Sequence, residues 1–266
     1  MRVPRRTCAF LALVALAACD SSGPELGEGS TGVEMTTDDP DDTTGVRPDL
    51  GGSEEYEVRC TTPAGHTGRP QTIAEAVAHI KALPEPIDVP CVLESFARPL
   101  PLLATSSVFS AQPGQGNASP RLFVFFDGLI LSFATVGYGA QLVEFAEFVG
   151  PTTTVKAELE LPAAPETIDV AAAVERIQDQ DFGTVCRLCH RNEEPSDEIY
   201  PGSFASDALA PRADTLIELD EVRMHAETCD PREDAQRCAI FDAVFLPGEV
   251  IAGDFDPEIQ TIFDYE

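Results

Sequence analysis

The sequence predicts an α+β protein, with a strand-rich stretch at residues 58–165 packed against a smaller helix-rich stretch at residues 166–266. Three observations carry that expectation. Two apolar runs, residues 121–126 and 129–136, are joined by Asp127-Gly128, a dipeptide typical of tight hairpin turns. Residues 142–148 and 153–161 alternate apolar with polar side chains, the period of a half-buried strand. Beyond Pro165 the apolar spacing becomes helical.

Taken in order, the first element is a helix. Thr72 and Glu75 have the spacing of a capping box, and Ile73, Val77, Ile80 and Leu83 follow on one helical side. That helix should stop before Pro84. His66 lies in a loop and His79 sits mid-helix away from the apolar positions, so both read as surface residues. The strands carry Phe123, Phe125, Phe126, Phe133, Phe145 and Phe148, which read as the sheet's packing face ahead of a ligand platform. Residues 168–177, 185–192, 216–228 and 235–246 are the helical candidates of the second stretch.

Charge narrows the function. The chain has 266 residues, 17 Lys+Arg against 46 Asp+Glu, and a formal net charge of -29. Such acidity excludes a nucleic-acid partner, because little is available to neutralise phosphates. Removing the leader (+3) and residues 20–57 (-11) still leaves -21 on residues 58–266. Residues 20–57 are Gly, Ser, Thr, Pro and acids with almost nothing to bury, the composition of a disordered, self-repelling tether.

Residues 1–19 read as an export signal. Arg2, Arg5 and Arg6 precede an apolar run too short to span a bilayer, and the run ends in Leu16-Ala17-Ala18-Cys19. This end resembles the lipobox of bacterial lipoproteins. The resemblance implies lipidation at Cys19 and cleavage just before it. It places the protein in the bacterial cell envelope, held by its N-terminal lipid on the periplasmic side of the inner membrane or on the outer membrane.

Six further cysteines remain once Cys8 and Cys19 are set aside. Cys60 and Cys91 flank the first helix, and Cys229 and Cys238 flank a polar turn, so each pair is placed to form a disulfide staple. Cys186-Arg187-Leu188-Cys189-His190 is different in kind. This C-x-x-C-H run resembles the haem-attachment motif of c-type cytochromes. The resemblance implies one covalent haem c, with thioethers at Cys186 and Cys189 and His190 as proximal iron ligand. By the same analogy His225, or else Met224, would be the distal ligand. Two other readings stay open: a Cys186–Cys189 disulfide or thiol pair, and a zinc site completed by His225 or Cys229.

No nucleophile constellation and no phosphate-binding loop emerges, so the chain reads as a carrier or binding protein rather than a stand-alone enzyme. The leading expectation is an envelope haem c lipoprotein for electron transfer or redox sensing, with a redox or envelope protein as its partner. A haem-free, disulfide-stapled binding or scaffold lipoprotein and a thiol–disulfide redox protein are the alternatives.

Overall fold

The computed structural model describes residues 56–107, 113–180 and 182–264; the leader, Cys19 and the tether as far as residue 55 lie outside the described residues. Thr72 caps α1 (Ile73–Lys81), its Oγ1 accepting from the Glu75 backbone N–H at 3.1 Å. The Glu75 carboxylate reaches back to the N–H of Gln71 at 2.8 Å, one residue earlier than a capping box requires. Ile73, Val77 and Ile80 are buried, and the helix ends ahead of Pro84 as expected. Asp88 caps α2 (Val89–Glu94) by accepting from the Cys91 N–H. Cys91 is disulfide-bonded to Cys60, which ties the segment before α1 onto α2.

The strands form one nine-stranded mixed sheet. β1 (Leu100–Thr105), β2 (Arg121–Phe126), β3 (Leu129–Ala134), β4 (Leu142–Phe148) and β5 (Thr153–Glu160) make its centre, each antiparallel to the next. Phe126 faces Leu129 across the two-residue Asp127-Gly128 turn, where Gly128 takes a φ of 80° that a side chain would strain. The central strand β3 is buried at all six residues, so both faces of the sheet are covered there.

Past residue 165 strands and helices interleave rather than giving way to helices alone. α3 (Val170–Arg176) is followed by β6 (Glu194–Pro195), β7 (Phe204–Asp207), β8 (Leu216–Ile217), α4 (Leu219–Glu227), α5 (Ala235–Phe245) and β9 (Val250–Ala252). β7 extends the sheet beyond β5 and β6 beyond β7, while β8 and β9 both pair with β1. These strands are two to four residues long, too short to show any periodicity, and β7, β8 and β9 pair with strands from distant sequence. The helix expected over residues 216–228 begins only at Leu219, because Leu216 and Ile217 are taken up by β1.

One face of the sheet carries Leu122, Val124, Leu131, Phe133, Val143 and Phe145, all buried in a single cluster with α1, α2 and α5. α5 is buried through Cys238, Ile240, Phe241, Ala243 and Val244, which lie all round it. Cys229–Cys238 joins the end of α4 to its first turn. The loop closed there is short, and restricting it in the unfolded chain contributes about 2–3 kcal/mol. Arg98 gathers the carbonyls of Val244 at 2.8 Å, Ala243 at 2.9 Å and Leu93 at 3.3 Å, satisfying backbone acceptors near the ends of both α5 and α2. The phenylalanine series is divided: Phe133 and Phe145 belong to this core, whereas Phe123 and Phe148 point to the other face.

His79 is a correction to the surface reading. It is 1% exposed, stacked on Phe96 with ring centroids 5.5 Å apart, because Ser95 and Phe96, just past α2, cover the side of α1 that its apolar spacing leaves out. Ser95 donates its hydroxyl to the Val92 carbonyl, so the 2.8 Å contact between Ser95 Oγ and His79 Nε2 is an Nε2–H donation. Nδ1 is then an unprotonated nitrogen, buried and without a partner among the described residues. Burial pushes the pKa of His79 down to about 4, with the nearby His66 ring adding to the effect. The folded pKa lies below the unfolded one, so this contribution to stability is present above pH ~6.5 and is lost as pH falls towards 4. Thermal denaturation should therefore show Tm falling through that window, and His79→Phe, which keeps the stack on Phe96, should flatten the fall.

Candidate functional site

Alternate residues of β2–β5 face away from the helices. There the sheet is roofed by largely irregular chain at residues 185–190, 208–212 and 255–263, which borders a cavity of about 620 Å³. That size is in the range of small-molecule and cofactor sites. Its walls are largely apolar: Phe123, Ile130, Phe148, Leu209, Phe255 and Phe263. Phe255 packs edge-on to both Phe123 and Phe125, at 5.3 and 5.1 Å. Its segment approaches so closely because Gly253 donates to the Leu102 carbonyl at 2.8 Å, where any Cβ would collide with the Phe125 ring.

The C-x-x-C-H run forms one wall. Gly183 takes a φ of 74°, and its missing Cβ leaves room for the Glu193 carboxylate. Glu193 accepts from both the N–H and the hydroxyl of Thr184, and Thr184 Oγ1 in turn accepts from the Cys186 N–H at 3.2 Å. This local network starts a 3₁₀ turn at Val185–Leu188 and ends it early, so the helix expected to reach residue 192 does not form. The Cys186 carbonyl accepts from the N–H groups of both Cys189 and His190, at 3.0 and 2.9 Å. One turn therefore brings Cys186, Cys189 and His190 together on the cavity wall.

His190 is held in one tautomer. Its Nδ1 lies 2.7 Å from the Asp207 carbonyl, which only accepts, so Nδ1 carries the proton. Burial pushes the pKa of the ring down to about 3, and the Lys156 and Arg121 charges push the same way, while the bond to Asp207 opposes them. The neutral ring therefore keeps a lone pair on Nε2, the arrangement of a ligating imidazole oriented through its other nitrogen. Cys186 and Cys189 are free thiols, unlike the four disulfide-bonded cysteines. Burial raises Cys186 to about 11 against the lowering effect of Lys156 and the Thr184 bond.

The floor is polar and cationic. Arg121 donates to Ser132 Oγ at 2.7 Å and is ion-paired with Glu144. Lys156 donates to Thr154 Oγ1 at 2.9 Å, Ser206 Oγ at 2.7 Å and the Asp207 carbonyl at 3.4 Å. Its acceptors are all neutral, and among the described residues no carboxylate forms an ion pair with it. Burial lowers its pKa to about 8. The sequence offered no reason to single it out, since a lysine on an alternating strand reads as solvent-facing. The only available signal was scarcity: Lys81 and Lys156 are the only two lysines in the chain.

Met224 and His225 are not brought to this site. Both lie on α4, whose Val222 enters the helical core on the other side of the sheet. Met224 is half-exposed, His225 Nε2 sits 3.8 Å from Glu221, and neither lines the cavity. The zinc reading also loses a ligand, because Cys229 is bonded to Cys238. Among the described residues no three His, Cys, Asp or Glu side chains are grouped to hold a metal ion. No protein-family model matches this chain, and no curated protein or solved structure matches it.

With its pKa pushed up to about 11 by burial, Cys186 holds far less thiolate than an ordinary cysteine at neutral pH. In the haem-free folded protein, mass-resolved iodoacetamide labelling should modify Cys186 correspondingly slowly, and labelling in denaturant should remove the lag. Equal rates in the two states would contradict the burial described.

Proposed function

We propose that this chain is a c-type haem lipoprotein of the bacterial envelope, serving electron transfer or redox sensing rather than catalysing a reaction of its own. One observation carries the reading above the rest: a single C-x-x-C-H turn sets two free thiols and a neutral imidazole on the wall of one apolar cavity. The donor set fits the group. Cys186 and Cys189 would hold it through thioethers, and His190 would ligate iron through Nε2 while the Asp207 carbonyl fixes the ring. When bound, a haem supplies a one-electron Fe(III)/Fe(II) couple. The phenylalanine walls would keep water from such a group, which would favour its less charged, reduced form. The envelope part of the reading rests on the leader and Cys19.

The thiol–disulfide reading finds less support. A thiol pushed up to about 11 is a poor nucleophile at neutral pH, whereas exchange catalysts depend on a lowered one. A haem-free binding lipoprotein remains a second reading, favoured by the cavity and its cationic floor.

Expressed with haem c maturation machinery, the protein should keep haem through denaturation, seen as a peroxidase-active band, a Soret absorption and an added haem mass. Cys186→Ala with Cys189→Ala should lose all three, and a colourless wild type under those conditions overturns the haem reading. His225→Ala and Met224→Ala should leave the Soret maximum unmoved, since both side chains lie away from the cavity. Cys19→Ser should shift the protein from the membrane to the soluble fraction. A variant that still sediments with membranes would mean that the anchor is not Cys19.

A further inference from the structure

We propose that the cavity takes an apolar molecule bearing a carboxylate, and that Lys156 is the group that anchors the carboxylate. The inference shares its cavity with the haem reading but stands without it.

The argument starts from an imbalance of charge. In a chain of net charge -29, an ammonium 8% exposed has been placed on the floor of an apolar cavity. Removing such a charge from water is costly unless an opposite charge meets it. Arg121, its neighbour on the same floor, has its partner in Glu144. Lys156 has only two hydroxyls and a carbonyl, all of them neutral. The carboxylates of Glu193, Asp207 and Glu144 act on it from beyond ion-pair distance. The three hydrogen bonds help join β5 to β7 but leave the positive charge unmatched, a desolvation cost that a methionine packed there would avoid. An anionic ligand group would supply the missing charge.

The rest of the cavity defines the remainder of the molecule. Phe123, Ile130, Phe148, Phe255 and Phe263 offer an apolar surface with few directional groups, and about 620 Å³ admits a body much larger than an inorganic anion. A carboxylate at one end of a hydrocarbon body matches both halves. Two sources share that chemistry: the propionate of an attached haem, and a free long-chain fatty acid.

The test titrates the full chain in its haem-free form with dansylaminoundecanoate, a fluorescent fatty acid, and with its methyl ester. The acid should bind about tenfold to a hundredfold more tightly than the ester, the range for a buried charge-assisted contact. Lys156→Met should bring the acid down to the ester's affinity without changing the ester, and Lys156→Arg should keep most of the preference. Equal binding of acid and ester by the wild type, no binding of either, or undiminished acid binding by Lys156→Met each overturns the proposal. The wild-type comparison decides even if a variant fails to fold. Exclusion of the acid from haem-loaded protein would support the proposal with a propionate as the occupant. Binding there with the same Lys156 dependence would support it with a free acid. A colourless protein sinks the haem reading alone, because the haem-free titration is unaffected.

Discussion

A nine-stranded sheet has two faces to keep from water, and among the described residues helices cover only one of them. α1, α2 and α5 cover the first with ordinary apolar packing. The second is roofed by irregular chain, and irregular chain brings backbone N–H and C=O groups that no ladder satisfies. Side chains must answer them. Asp207 shows how: at the end of β7 its N–H donates to the Arg191 carbonyl, while its own carbonyl accepts from His190 and from Lys156. Ser196 and Ser203 satisfy each other's backbone in the connection between β6 and β7, through N–H and hydroxyl donors. The cavity, the oriented imidazole and the buried ammonium all follow from covering a sheet face with loop.

The same requirement explains why the titrating groups there influence one another. His190, Lys156 and Cys186 share one poorly solvated region, where burial favours the neutral form of each. The Lys156 charge disfavours a protonated His190 and favours an ionised Cys186, and on the thiol burial outweighs it. A neutral imidazole suits metal ligation, and a Cys186 thiol held protonated by burial is a poor nucleophile.

What could be read from the sequence was local, and what could not depended on distant coverage. The Asp127-Gly128 turn, the alternation of β4 and β5 and the Thr72 cap are decided within a few residues, and each lies where its pattern placed it. The pairings of Cys60 with Cys91 and Cys229 with Cys238 follow from elements adjacent in the chain. His79 and Lys156 escaped for one shared reason: helical and strand periodicity identify the first face an element buries, and both residues lie on a side covered later by another segment. The turn at Val185–Leu188 escaped because Glu193 competes for the start of the helix, a side-chain effect with no period. For the candidate site, the thiols and His190 were visible as a motif, while their setting was not: cationic floor, aromatic walls, and Met224 and His225 on the far side of the sheet.

The scarcity of lysine has a practical side. Of the two side-chain amines, Lys156 is enclosed and Lys81 is exposed at the end of α1, on the helical face of the sheet. Reagents that couple through side-chain amines therefore have one accessible handle, and it lies across the sheet from the cavity. A molecule immobilised or labelled there presents its roofed face outward in a single orientation, with the C-x-x-C-H wall and the exposed Leu188 beside it turned to solution.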